Sequence, residues 1–212
     1  MKKIIVSVTN DLSTDQRVDK VCSTLQKEGY EIVLIGRKLK NSIPLKRSYN
    51  TKRIKLIFNK GFLFYAEFNF RLFFVLLFSK KDVLLSNDLD TLLPNYLVSI
   101  LQKKKIIYDS HELFPEIPEL VHKPFVKKCW TKLEAWILPK LKNTYTVCNS
   151  IADFYDKKYN MLYINPGAAG IVGFHKVRTI IRFELHLETI KNLEVIELKK
   201  RSDLSKSVQR SN

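Results

Sequence analysis

Nine consecutive residues, Tyr108-Asp109-Ser110-His111-Glu112-Leu113-Phe114-Pro115-Glu116, set an imidazole between carboxylates at 109 and 112. An imidazole titrates near neutrality, so His111 can hold or release a proton under ordinary conditions. The apolar run Ile106-Ile107-Tyr108 ends abruptly in this polar cluster. That is the pattern of a buried parallel strand delivering functional groups to the carboxyl edge of a sheet. Open α/β sheets bind ligands in the crevice outside that edge, which places Asp109, His111 and Glu112 along it. Asp109 and Ser110 read equally well as caps of a following helix. Two other strand ends gather polar groups in the same way. Asp82 to Leu85 leads into Ser86-Asn87-Asp88-Leu89-Asp90, and Ile4 to Val8 leads into Thr9-Asn10-Asp11.

The elements that position these clusters follow from periodicity. Ile4-Ile5-Val6-Ser7-Val8 is apolar on both faces, as a central parallel strand is. Ser13-x-x-Gln16 fits a capping box, and Val18, Val21, Cys22 and Leu25 then form one helical stripe closed by Gly29. Glu31 to Ile35 supplies the next strand and completes a right-handed βαβ unit. No GxGxxG follows the first strand, so a dinucleotide fingerprint is absent. Ile54 to Phe58 reads as a third strand. Phe62 to Phe78 is intensely apolar, yet Glu67, Asn69 and Arg71 interrupt it and it falls short of the ~20 residues that span a bilayer. It reads as a largely buried helix with Glu67 and Arg71 paired at i, i+4, and contact with a membrane surface is the minor alternative. Further strands at 82–85, 105–109 and 144–147 alternate with helices at 92–101, 130–138 and from 149 onward. The alternation predicts a doubly wound α/β fold, a Rossmann-like parallel sheet with helices on both faces, to about residue 159. Beyond it lie a glycine-rich turn, Ile164 to Gly170, and two β-like runs at 177–187 and 193–198 that suggest a hairpin. The polar residues 199–212 read as a disordered tail.

Composition is ordinary for a globular protein, 45% hydrophobic and 27% charged, which excludes wholesale disorder. The net charge of +16 is uneven. Residues 1–60 carry 14 Lys or Arg against 5 Asp or Glu, and residues 37–60 hold nine basic side chains and no acidic one. Such a face favours anions, including an anionic membrane surface, although it also reads as a solvated lysine-rich loop. No nucleic-acid partner is expected, because no recognition motif or aromatic-basic interleaving accompanies the charge. Cys22, Cys129 and Cys148 are odd in number and far apart. They indicate neither disulfides nor a zinc site and read as small buried hydrophobes in a reducing cytosol. The start, Met1-Lys2-Lys3 and a short apolar run, is too short for a signal peptide.

Val8-Thr9-Asn10-Asp11 with Asp15-Gln16-Arg17-Val18, then Ser86-Asn87-Asp88-Leu89-Asp90-Thr91-Leu92, then Tyr108-Asp109-Ser110-His111-Glu112 resemble, in order and spacing, the N-terminal domain of family 4 glycosyltransferases of the GT-B fold. The resemblance covers residues 1–159. It implies the acceptor-side half of an enzyme that moves a sugar from a nucleotide-sugar donor to a glycan or lipid-linked acceptor, with no further cofactor and no metal. It further implies that His111 acts beside the transferred sugar and helps stabilise charge there. Asn10, Asp11 and Arg17 would lie near the diphosphate or acceptor, and Asn87, Asp88, Asp90, Asp109 and Glu112 would shape the binding surface. Such enzymes bind the donor in a second domain through two glutamates eight positions apart, and no such pair occurs in this chain. The expectation is a truncated form, weakly active or inactive alone, in the cytoplasm or peripheral to the inner membrane.

Residues 160–198 resemble the C-terminal end of small calcineurin-like metallophosphoesterases, on Leu162 to Gly170, Gly173 to Thr179 and Leu193 to Leu198. The Gly-Asp, Gly-Asn-x-Asp and Gly-His-x-His segments that carry metal ligands in that family are absent, so phosphoesterase chemistry is not expected. A join between two gene fragments near Asn160 is the simplest account. The alternative to a transferase is a non-catalytic remnant that binds anionic lipid or glycan through residues 37–60.

Overall fold

A computed structural model describes residues 1–120, 122–159, 177–186 and 189–200. Six strands form one parallel sheet: β1 (Lys3–Asp11), β2 (Glu31–Lys38), β3 (Asn50–Lys55), β4 (Val83–Asn87), β5 (Lys105–Ser110) and β6 (Thr144–Thr146). Their order is β3-β2-β1-β4-β5-β6, with β1 in parallel register against both β2 and β4. Four helices connect them, α1 (Gln16–Lys27), α2 (Gly61–Leu77), α3 (Leu92–Leu101) and α4 (Pro124–Ile137), and α5 (Asn149–Tyr159) follows β6. The sequence order reverses direction between β1 and β4. That switch point is where an open parallel sheet parts its loops to leave a crevice.

The period-two alternation of β1 builds two cores. Ile4, Val6 and Val8 pack with Val18 and Cys22 of α1. Ile5 packs on the other face with Phe64, Phe68, Leu72 and Leu76 of α2 and Val98 of α3. Each of those fully buried side chains contributes roughly 1.5–3 kcal/mol. A third cluster joins Tyr108 of β5 to Leu92, Ile137 and Tyr155 of the later helices. Lys81 is buried just past α2. Its ammonium donates to the carbonyls of Leu76 and Ser79 and to Gln102, satisfying the negative end of the helix.

Several local expectations are corrected by side-chain competition. The α1 cap is Asp15, whose Oδ1 accepts the Val18 N–H at 3.1 Å. Ser13 does not form the expected box, because Asp11 captures both its amide and its hydroxyl. β3 lies at Asn50–Lys55, not 54–58. The Glu67 carboxylate takes the N–H groups of Ile57 and Phe58 at 2.9 Å each and removes those donors from any ladder. α2 is buried along one face only: Phe62, Leu63, Phe70, Phe74 and Phe78 are exposed. Among the cysteines Cys22 is buried, Cys148 is intermediate and Cys129 is exposed.

Gly29 ends α1 at φ 84°, in the left-handed region that favours glycine. Gly36 serves packing: a Cβ there would stand 2.7 Å from the Asn10 carbonyl oxygen and 2.4 Å from Leu12 Cδ2. At the other end of the chain, β7 (Val177–His186) and β8 (Thr189–Lys200) pair antiparallel as a separate two-stranded sheet. β8 starts earlier than expected and includes Lys199 and Lys200, read above as tail. The glycine-rich turn, the join near Asn160 and the tail beyond Lys200 lie outside the described residues.

Candidate active site at the sheet switch point

The carboxyl ends of β1, β4 and β5 deliver their polar clusters to one place. A pocket of about 80 Å³ opens there, lined by Val8, Thr9, Asn10, Arg17, Asn87, Asp88, Asp90, Glu112 and Phe114. Asn10 is exposed and donates to Asp15 at 3.1 Å, which ties it to the start of α1. Asn87 is buried. Its amide donates to the Ser7 carbonyl at 3.3 Å, while its Oδ1 is buried without a hydrogen-bond partner. An unpaired buried acceptor beside a pocket is a group a ligand can satisfy at a gain, because leaving it unmade costs free energy.

Asp88 adopts φ 58°, a conformation uncommon outside glycine and found at sites the fold over-determines. Three contacts hold it. Its Oδ1 accepts the His111 backbone N–H at 2.9 Å, its own N–H donates to the Asp109 carbonyl at 2.8 Å, and its Oδ2 lies 3.4 Å from an Arg17 guanidinium nitrogen. The loops after β4 and β5 are thereby stitched together.

His111 sits behind this wall. Its imidazole places Nε2 3.1 Å from Asp109 Oδ2 and Nδ1 3.4 Å from Asp88 Oδ1, with the side chain only 7% exposed. Burial pushes its pKa down, but hydrogen bonds and charge from Asp109 and Asp88 overcome that and raise it to about 9. His111 is therefore an imidazolium at neutral pH, not the near-neutral group expected from its type. Both ring nitrogens then carry hydrogens, so neither is free to accept, and Nδ1 is buried without a hydrogen-bond partner. Asp109 is fully buried and also accepts the Tyr145 hydroxyl at 2.7 Å. Burial and the adjacent Asp109 raise that phenol's pKa.

Asp90 faces the pocket from the first turn after β4 and is buried. Desolvation dominates its titration and raises its pKa to about 8, against the opposing hydrogen bond from the Thr9 hydroxyl. A carboxyl held mostly neutral near pH 7 can donate as well as accept a proton. Asp11 is turned away. Its carboxylate accepts from Ser13 and Ser42 and faces Arg53 at 3.9 Å. Burial pushes its pKa up, but those partners win and lower it.

Of the expected site residues, then, Asn10, Arg17, Asn87, Asp88, Asp90 and Glu112 line one pocket. Asp109 and His111 support it from behind, and Asp11 organises the neighbouring loop. Val8, Thr9 and Phe114 complete the lining without having been singled out. Thr9 was legible as the first polar residue after the apolar run of β1, and Phe114 carried no signal apart from its place after the cluster. Among the described residues no group of three or more His, Cys, Asp or Glu is arranged to hold a metal ion. The arginines of the basic span serve the fold: Arg47 pairs with Asp19 at 2.7 Å and Arg37 lies 4.8 Å over Phe64. Its lysines 38, 40, 46, 52, 55 and 60 are exposed.

No protein-family model matches the chain, and no curated protein does. Solved structures share its fold. A sucrose-phosphate synthase from Thermosynechococcus elongatus aligns with TM-score 0.58 and 12% identity over 79% of this chain and 49% of its own. S. aureus MnaA, solved with UDP, aligns at 0.53 and 16% identity over 79% and 44%. Os79 from O. sativa, solved with UDP, aligns at 0.53 and 10% identity over 78% and 52%. The chain spans about half the length of each, and its six-stranded sheet has the architecture of one Rossmann-like half of a GT-B protein.

Proposed function

We propose that the chain is the acceptor-side half of a nucleotide-sugar-dependent glycosyltransferase, with its switch-point pocket as this half's contribution to the cleft. The observation that carries the reading is the convergence of Asn10, Arg17, Asn87, Asp88 and Asp90 on one small polar pocket at the β1–β4 switch, where parallel sheets place their ligands. Arg17 supplies a cation, Asn87 an unsatisfied acceptor, and Asp90 a carboxyl able to exchange a proton with an acceptor hydroxyl. His111 is a positioning residue: its fixed positive charge holds Asp88 and Asp109 in place and contributes to the field at the reacting centre. Sugar transfer passes through an oxocarbenium-like state with a departing diphosphate, and preorganised charge is the main lever on such a step. The donor-binding groups come from a second half, since this chain spans about half of the structures it is similar to. Segment 160–198 supplies no residue to this reading.

The test is side-chain amide NMR of the full chain titrated with UDP- and TDP-sugars and with simple glycosides. Shifts at Asn10 and Asn87 that disappear in Arg17→Ala are expected. No shift with any of these ligands would sink the proposal.

A further inference from the structure

We infer that the face built by α2, α3 and α4 is a docking surface for an anionic lipid bilayer. A groove of about 620 Å³ runs between the three helices, with a wall almost wholly apolar. Phe70 and Phe74 of α2, Leu97 of α3, and Cys129, Trp130 and Leu133 of α4 are among its lining residues. Phe70 and Phe74 of the groove and Phe78 just past the end of α2 form an aromatic ladder at i, i+4, i+8: Phe70 is 66% exposed, Phe74 41% and Phe78 81%. Their rings contact one another at 5.0 and 6.4 Å. Apart from Asn69 and the Glu67–Arg71 pair, α2 is apolar on both sides, and only the side of Phe64, Phe68, Leu72 and Leu76 has a core.

The charge around this face identifies the occupant. Residues 123–142 carry six lysines and one acid, Glu134. That acid is buried and bound to Lys158 at 2.8 Å. On α4 the residues Phe125, Lys128, Cys129, Lys132 and Trp136 fall within about a third of the helix circumference by their spacing, and all are exposed. Lys140 lies 4.7 Å over the Trp136 ring. Lys60 and Lys80 flank the two ends of α2 and are exposed. Aromatic side chains inserted at headgroup depth, fringed by lysines whose stems reach back to phosphate, are the pattern of interfacial binding. No described helix is long and apolar enough to cross a bilayer, so the contact is with one leaflet.

The face also bears on the pocket. Asn69 lines the groove and donates to the Asp90 backbone carbonyl at 2.8 Å. Phe114 lines the pocket and packs against Trp130 of the groove at 5.0 Å. One layer of side chains separates them, so a docked chain holds its pocket close to the headgroups. The docking itself does not depend on the reaction proposed above.

The chain has only two tryptophans: Trp130 lines the groove and Trp136 is exposed on the lysine-bearing stripe of α4, so their emission responds to contact there. Vesicle flotation of the full chain, read together with tryptophan emission, tests the inference. Binding to phosphatidylglycerol-containing vesicles with a blue shift is expected, along with little binding to pure phosphatidylcholine. Lys128→Gln with Lys132→Gln should weaken binding on the order of 30-fold, at about 1 kcal/mol for each lysine near an anionic surface. Phe70→Ser with Phe74→Ser should abolish the blue shift and leave the circular dichroism unchanged, since both side chains are exposed. Failure to float with anionic vesicles would overturn the inference. Flotation indifferent to both double variants would do so too, as would a dimer in sedimentation that the phenylalanine variant dissociates while vesicles bind nothing.

Discussion

Nε2 of His111 lies 3.1 Å from Oδ2 of Asp109, a residue on the same strand end, and the opposite ring nitrogen faces Asp88 on the neighbouring loop. One buried cation thus bridges the ends of β4 and β5. Its protonation is worth stability because the folded chain binds that proton more tightly than the unfolded chain does. The His111 pKa is raised from 6.5 to about 9. The stabilisation is fully present below about pH 6.5 and is lost as pH rises through about 9, and it amounts to on the order of 3 kcal/mol. Imidazole NMR titration should give the raised pKa directly. His111→Gln should remove this component of the pH dependence in urea unfolding and cost a similar amount near pH 6, by stranding two carboxylates.

Asp90 gives a second pH-dependent component in a lower window. Its folded pKa of about 8 exceeds the ordinary 3.8, so its contribution also falls as pH rises from about 4 through about 8. Asp90→Asn keeps an acceptor for the Thr9 hydroxyl and carries no charge to bury. It should unfold at higher urea than the parent above about pH 8 and should flatten that part of the curve. Thr9→Val removes the donor that holds the carboxyl pKa down and should move the Asp90 titration to still higher pH.

Gly36→Ala places a methyl group 2.7 Å from the Asn10 carbonyl, which cannot swing aside as a side chain can. Overpacking of this kind costs roughly 1–3 kcal/mol. Equilibrium unfolding should show that loss. The same displacement should shift the Asn10 side-chain amide resonance, because the pushed backbone is that of a pocket residue.

Glu134 is buried, and its Oε2 accepts from Lys158 and from the Tyr159 hydroxyl at 2.8 Å each. These bonds fasten α5 to α4. Lys158→Met leaves a buried carboxylate without its cation and should cost about 3 kcal/mol. Tyr159→Phe removes one neutral donor and should cost about 1 kcal/mol. A loss no greater in Lys158→Met than in Tyr159→Phe would contradict the picture.

The sheet and the strand-end clusters were legible because burial on both faces writes a continuous apolar run that stops where polar work begins. Asn10 and Asp11 show where reading stops. They are adjacent at the end of β1, yet one faces the pocket and the other is drawn into its loop by Ser13, Ser42 and Arg53. Two of those partners, Ser42 and Arg53, come from distant sequence. The position of β3 was hidden for the same reason, since Glu67 on α2 decides which amides before it stay unpaired in the sheet. The charge state of His111 rests against burial on Asp109, two residues away, and on Asp88, 23 residues upstream, and only the first was visible in the local sequence. The uncovered face of α2 was hidden because an apolar side chain is written identically whether or not anything packs on it.

The two borders of the sheet carry a consequence for assembly. β3 reads Asn-Thr-Lys-Arg-Ile-Lys with four of its six residues exposed, and β6 is three residues long. A lysine-studded ribbon on one side and a stub on the other offer no template for a seventh strand. Growth by strand addition is closed off at both margins. If the proposed function holds, a second half that completes the cleft would approach along the strand axis and meet this chain through loops and helix starts. The joint between the halves would then be a hinge of side chains, free to open and shut without breaking a single ladder hydrogen bond.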